Sequence, residues 1–450
     1  MAQTTGTMAA TPVNRGMNRR DFLKVSGAGL AGVALLGVAG CGGGGGGSEG
    51  GSGEFIFSFG PDTSGSLQEV VKRFNKENKG KYTAKYREMP ADTGQYFDKV
   101  RTQFQAGGGD IDLIGGDVIW PAQFAANGWI LDLSDKFTEE DRADFLPGPV
   151  ESNTYEDKVY GVPWFTDAGM LYYRKDLLDK NGIKEAPKTW DELKEVAKQV
   201  TEAEGTKYGF VFQGSQYEGG VVNGLEYINS YGGQVLDEND ASKVVIDSPE
   251  SSEGLSIAAS MIEEGVSPQA VTNFTETESQ TTFLNGDAVF CRNWPYMYAL
   301  AADPDESKIK QEQIGVAPLP AGSAESVSGL GGWNFYINAA SDPETQDAAY
   351  EFVKFCTSPE IQKFRALNGS FLPTLKSLYE DKEILDAVPV IALAGDALAN
   401  TQPRPVSPAY SDMSLKMAEQ FNAAFKGDVS PDEAVKTLQG ELQDIADQAS

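Results

Sequence analysis

Residues 54–74 read EFIFSFGPDTSGSLQEVVKRF, and the fold is decided there. Phe55 to Phe59 is an apolar, β-prone run that reads as a strand. A polar loop follows, Gly60-Pro61-Asp62-Thr63-Ser64-Gly65, and then Leu67, Val70, Val71 and Phe74 recur at helical spacing. Tyr82, Ala84 and Tyr86 alternate as a second strand, Tyr96, Phe97, Val100 and Phe104 line a second helix, and Ile111 to Ile114 form a third strand. Strand, helix, strand, helix, strand is the signature of a parallel α/β lobe. The third strand runs into Gly115-Gly116-Asp117-Val118-Ile119-Trp120. Loops that lead from a strand end to a helix N-terminus are where open α/β sheets bind ligands.

Upstream, Arg19 and Arg20 precede Asp21-Phe22-Leu23-Lys24, an apolar run from Ala28 to Gly40, and Cys41. The run is shorter than the ~20 residues that span a bilayer as a helix. Its paired arginines resemble those of twin-arginine export signals, and Val38-Ala39-Gly40-Cys41 resembles a lipobox, after whose cleavage the cysteine is diacylated. A GxGxxG match at residues 27–32 has no strand before it and lies inside the signal, so it is not a dinucleotide site. Residues 1–40 are thus expected to be a removed signal, Cys41 a lipid anchor to the membrane, and 41–53 a Gly/Ser tether that behaves as a flexible coil.

Composition narrows the chemistry. The chain has 37 basic and 66 acidic residues and no histidine. Losing Arg15, Arg19, Arg20, Lys24 and Asp21 with the signal leaves 33 basic against 65 acidic, a balance of −32 that repels nucleic acid and anionic lipid surfaces. Without histidine there is no Ser-His-Asp or Cys-His nucleophile system and no His-ligated zinc. Cys291 and Cys356 are consistent with a disulfide or with two separate buried thiols. Asp237-Glu238-Asn239-Asp240 begins like a calcium loop, but Ser242 and Ser248 stand where that loop needs Gly and Glu. No metal or cofactor is expected.

A second region begins near Gly161. Thr189 with Glu192 reads as a capping box that opens a helix and makes Trp190 structural. Ser248-Pro249, Asp342-Pro343, Ser358-Pro359 and Ser430-Pro431 each place a capping residue before Pro at the first helical position. Strands are read at 288–292, 315–319 and 334–338. The length beyond the tether suits two α/β lobes better than one core.

Several segments then carry a family resemblance: DLIGGDVIWPAQFAANGWILDL at 112–133, YGVPWFTDAGMLYYRKDLL at 160–178, PKTWDEL at 187–193, FLNGDAVFCRNWPY at 283–296, GVAPLP at 315–320, GGWNFYINAASDPETQDAAYEFVKF at 331–355 and SPEIQKFRA at 358–366. In this order and spacing the chain resembles bacterial extracellular solute-binding proteins of the maltose-binding and trehalose/maltose-binding class, which serve ABC importers. The resemblance implies an α/β, periplasmic-binding-protein-like clamp of two lobes, 54–166 with 320–373 and 167–319 with 374–450. Chain crossings are expected near 163–167, 319–321 and 371–374. It also implies a carbohydrate ligand between the lobes, ABC permease subunits as partners, no catalysis, and a monomer on the outer face of the cytoplasmic membrane.

A pyranose needs flat rings under its C–H face and charged or amide groups around its hydroxyl rim. By resemblance, Trp294, Tyr296, Trp333 and the adjoining Gly332 supply the first kind of contact, and Asp117, Asp167 and Arg404 the second. Trp120, beside a strand-end carboxylate, is a further candidate. Trp129 reads as core, and Trp164 as either core or site. Two other readings stay open at this point: a glycoside hydrolase with a carboxylate pair ~5–10 Å apart, and a binding protein of the same fold for a non-sugar solute.

Overall fold

The computed structural model describes residues 53–62, 64–237 and 240–449. Cys41, the signal segment 1–40, nearly all of the tether and Thr63 lie outside the described residues. The first elements follow the sequence reading: β1 (Gly53–Phe59), α1 (Ser66–Glu77), β2 (Tyr82–Glu88), α2 (Thr93–Gln105) and β3 (Leu113–Asp117). β1 pairs in parallel with both β2 and β3, so α1 and α2 are crossover helices. The carboxyl ends of β1 and β3 therefore lie together, β1 opening into the loop that holds Asp62 and β3 ending on Asp117.

Phe55, Phe57 and Phe59 share one face of β1 and are buried against Phe74, Phe352 and Trp164. Each such ring contributes about 1.5–3 kcal/mol by leaving water. Asp62 holds the start of α1: its carboxylate accepts from the amides of Ser64 (3.0 Å) and Leu67 (2.7 Å).

Two larger sheets collect the remaining strands: β4 (Val162–Ala168), β5 (Met170–Arg174), β6 (Tyr208–Val211), β7 (Ala288–Asn293), β8 (Ile314–Pro318), β9 (Ser328–Ile337) and β10 (Thr401–Gln402). The first has the order β10-β9-β3-β1-β2, with β4 antiparallel to β9. The second has the order β8-β5-β7-β6. The chain leaves the first sheet at Gly169, immediately beyond the expected 163–167, since β4 keeps its pairing with β9 through Ala168. It returns between Pro318 and Ser328.

The third passage is expected at 371–374. At 371–374 the chain is still bonded to the first-sheet side, where the Thr166 amide reaches the Leu372 carbonyl (3.1 Å) and the Leu146 amide the Thr374 carbonyl (2.8 Å). It goes on through a helix at Pro389–Ala399 into β10, which pairs with β9. That helix also packs on β8 of the second sheet, and the helix Tyr410–Lys426 then packs against the second sheet's helix Glu218–Ser230.

Among the helix starts, Thr189 caps as expected, but Glu192 accepts from the Lys188 amide (2.7 Å), one residue earlier than a capping box requires. Ser248, Asp342 and Ser430 accept from amides three residues on, whereas the Ser358 hydroxyl donates back to the Phe355 carbonyl. Trp190 is buried and its indole N–H donates to Ser230 Oγ (3.0 Å). Trp164 is core, stacked on Phe335 at 4.6 Å, and Trp129 packs on Phe104 and Phe124. Cys291 and Cys356 are separate buried thiols.

Candidate functional site

Asp117 is the last residue of β3 and pairs across the ladder with Trp333 of β9. Gly115 and Gly116 before it let rings close in: a Cβ at 116 would stand 2.5 Å from the Tyr336 ring. Arg404, two residues past β10, donates to Asp117 Oδ1 (2.9 Å) and to Glu218 Oε1 (2.7 Å). Burial opposes the charge on Arg404, but Asp117 and Glu218 outweigh it and push its pKa above the ordinary value. Burial also raises the Asp117 carboxyl, with Arg404 holding it down in part. Arg404 thus ties the end of β3 to the first turn of the Glu218–Ser230 helix. Its Nε, also buried, has no hydrogen-bond partner among the described residues. A small cavity beside it is lined by Ile119, Leu330, Pro403, Arg404 and Pro405.

Asp167 lies one residue before the end of β4, opposite Gly331. Burial pushes its carboxyl up to about 8, although Arg292 and Arg365 pull the other way. Trp294, just past β7, comes to the same place: a Cβ at Gly331 would meet the Trp294 ring at 2.8 Å and the Asp167 Cβ at 3.0 Å. Gly332 is required by its backbone, with φ +119° and the Phe165 carbonyl only 2.5 Å from where a Cβ would be. The ends of the two sheets therefore meet at Asp167, Gly331 and Trp294.

Trp294 is itself held. The Arg292 guanidinium lies 3.9 Å from its ring centroid, and its N–H donates to Glu276 Oε1 (3.3 Å). Arg292 is buried in a two-pronged pair with Glu226, and the Gly329 amide of β9 also donates to Glu226 (3.1 Å). Gly169 is needed beside this pair, because a Cβ there would fall 2.1 Å from Glu226 Oε1.

Trp333 stands inside β9, since that strand begins earlier than expected and takes in Gly331-Gly332-Trp333. It is partly exposed, edge-on to Phe59 (5.0 Å) and roughly parallel to Tyr96 (6.0 Å). Tyr296 is half-buried with its hydroxyl on Gln280 (2.7 Å). Trp120 is only 2% exposed, packed by Tyr96, Phe97 and Phe124 and edge-on to Trp333 (5.8 Å). As N-cap of the short helix Pro121–Ala126, it is turned back into the core.

Sequence reasoning missed Glu218, Glu276 and Arg365. Glu218 accepts from Arg404, from the Tyr410 hydroxyl (2.6 Å) and from Ser414, and Glu276 from the Tyr217 hydroxyl (2.7 Å) and Trp294. Both are first residues of helices, a strand-to-helix position for Glu218 like that of the Asp62 loop. The described residues hold no acidic or sulfur cluster suited to a metal, and no helix among them is long and apolar enough to cross a membrane.

Residues 60–363 match the family of bacterial extracellular solute-binding proteins. The chain belongs to that family. A probable ABC transporter-binding protein of Deinococcus radiodurans is 34% identical over 371 residues, 81% of this chain and 86% of the relative. A maltose-bound T. maritima MalE3 superposes with TM-score 0.81 at 39% identity, covering 86% of this solute-binding protein and 98% of that chain. The GacH receptor of Streptomyces glaucescens, solved unliganded and with acarbose, gives TM-score 0.76 at 26% identity, with 88% and 99% covered. The two-lobe fold of these sugar-binding proteins is the fold of this chain.

Proposed function

We propose that this solute-binding protein captures a di- or oligosaccharide of the trehalose/maltose kind and delivers it to an ABC permease, anchored through a lipid on Cys41. The observation that carries the reading is the convergence of Asp117, Asp167 and Arg404 with the indoles of Trp294 and Trp333 at the facing ends of two sheets. Rings to lie under a pyranose and charged groups to bond its rim are what a carbohydrate requires, and hydrogen bonds to charged groups contribute about 1.5–3 kcal/mol each. The maltose in T. maritima MalE3 and the acarbose in GacH support the same ligand class.

The lobes are read as 54–166 with 320–373 and 167–319 with 374–450; the pairing of β10 with β9 favours counting 401–402 with the first. Closure would turn about Gly169, 319–327 and 403–409 and alter the surface offered to the permease. Binding is without turnover, as a monomer, on the outer face of the cytoplasmic membrane. A thermal-shift screen with trehalose, maltose, maltotriose, sucrose and xylo-oligosaccharides tests the ligand class: a sugar at 100 times its dissociation constant adds about 2.7 kcal/mol. A flat response to all of them, with a shift from an amino compound, overturns it.

A further inference from the structure

Arg365 stands on the helix Pro359–Gly369, 3% exposed, and none of its three guanidinium nitrogens has a hydrogen-bond partner among the described residues. Three rings enclose it: Phe371 at 4.0 Å, Trp164 at 4.2 Å and Phe165 at 5.1 Å from its central carbon to the centroids. Cation–π attraction offsets only part of the cost of burying a cation whose N–H groups are unpaired. Burial accordingly lowers its pKa to about 10, against the pull of Asp62, Cys356 and Asp167. A small cavity adjoins the guanidinium, lined by Trp164, Phe165, Gln362, Phe371 and Pro373.

Asp62 and Asp167 do not line this cavity, but both carboxyl groups act on Arg365. Asp62 is committed to the start of α1, where its carboxylate already accepts from Ser64, Ser66 and Leu67. The Asp167 carboxyl makes no hydrogen bond among the described residues, and it is two positions from Phe165 on the same face of β4. A second anion would meet the Asp62 carboxylate, which already acts on Arg365. A hydroxyl accepts from a guanidinium and donates to a carboxylate at once. Phe371, which is half-buried, forms one wall of the cavity. It follows Ser370, held at φ +54°, and folds back on Gly369, where a Cβ would stand 2.4 Å from its ring and 3.1 Å from Ser64 Cβ. That places Phe371 beside the loop at the carboxyl end of β1, on the side of the sheet where Asp117 lies.

We propose that Arg365 and Asp167 form a further carbohydrate subsite beneath Phe371, in which one sugar hydroxyl accepts from Arg365 and donates to Asp167 while the Phe371 ring turns to lie on the sugar. The proposal rests on the carbohydrate-binding reading above. Arg365 then determines specificity, rewarding sugars with a hydroxyl at that position.

Calorimetric titration with maltose, trehalose and maltotriose, paired with urea denaturation, tests it on the wild type, Arg365→Met and Arg365→Lys. The expected result is at least a tenfold weaker affinity in Arg365→Met with an unfolding midpoint equal to or above the wild type, because an unpaired buried charge has been removed. Unchanged affinity overturns the subsite, and a lower midpoint with full affinity assigns Arg365 a structural role instead. Where the Met variant loses both, Arg365→Lys decides: folded and at least tenfold weaker supports the subsite, folded with wild-type affinity overturns it. Absence of any wild-type titration with the three sugars removes the carbohydrate reading and the subsite together.

Discussion

Replacing Arg404 with Met leaves two buried carboxylates facing one another without the cation between them. The side chain of Arg404 is 4% exposed and those of Asp117 and Glu218 are 10% each, so solvent screens the ion pairs little. Methionine roughly preserves length and apolar volume, which makes lost charge the main term. Removing one partner of a buried pair costs about 3–5 kcal/mol. Glu218 keeps the hydroxyls of Tyr410 and Ser414, whereas Asp117 keeps only the Ile119 amide at 3.2 Å, so Asp117 bears most of the penalty.

The sign with pH follows from the same carboxyl. Burial already raises Asp117 above its unfolded pKa, and without Arg404 it rises further. A carboxyl raised in the folded state loses stability as pH increases through that raised value. The deficit of R404M in urea denaturation should therefore shrink at acidic pH and grow toward about 3–5 kcal/mol as pH rises. Adding Asp117→Asn should recover most of it at the higher pH. A midpoint equal to wild type at pH 8, or a deficit that does not vary with pH, would refute this account of Arg404.

Asp167 makes a related prediction in the wild type. Its carboxyl stands at about 8 when folded against an ordinary value near 4, so stability should fall as pH rises between those values, and Asp167→Asn should flatten that slope in urea midpoints. An identical slope in the variant would move the effect elsewhere. Cys41→Ser should release the protein into the medium while leaving sugar affinity unchanged, as fractionation and titration would report; a loss of affinity would give the tether a role in binding.

Much of the scaffold is legible from residues 54–117 because alternating aromatics and helical spacing are local signals. Phe55, Phe57 and Phe59 announce a buried strand face, and Ser248-Pro249 or Asp342-Pro343 announce helix starts. What depends on distant partners is not legible. Arg404 meets Asp117 across 287 positions of sequence, and no periodicity encodes that pairing. Trp120 sits beside a strand-end carboxylate like a site residue, yet its helix turns it inward. The segment 371–374 is expected as a crossing by resemblance alone, and nothing in its own residues foretells its bonds to β4 and to Leu146. Arg365 lies within an ordinary helix, and only packing reveals that three rings surround it and that nothing among the described residues pairs with it.

The central claim is that the site binds carbohydrate and leaves it intact. Titrating the purified protein with maltose and trehalose, and assaying the same mixtures for released glucose over hours, tests both halves at once. The account predicts saturable heat with at least one of the two and no glucose. Glucose release, or no heat with either sugar together with saturable binding of an amino compound, would contradict it.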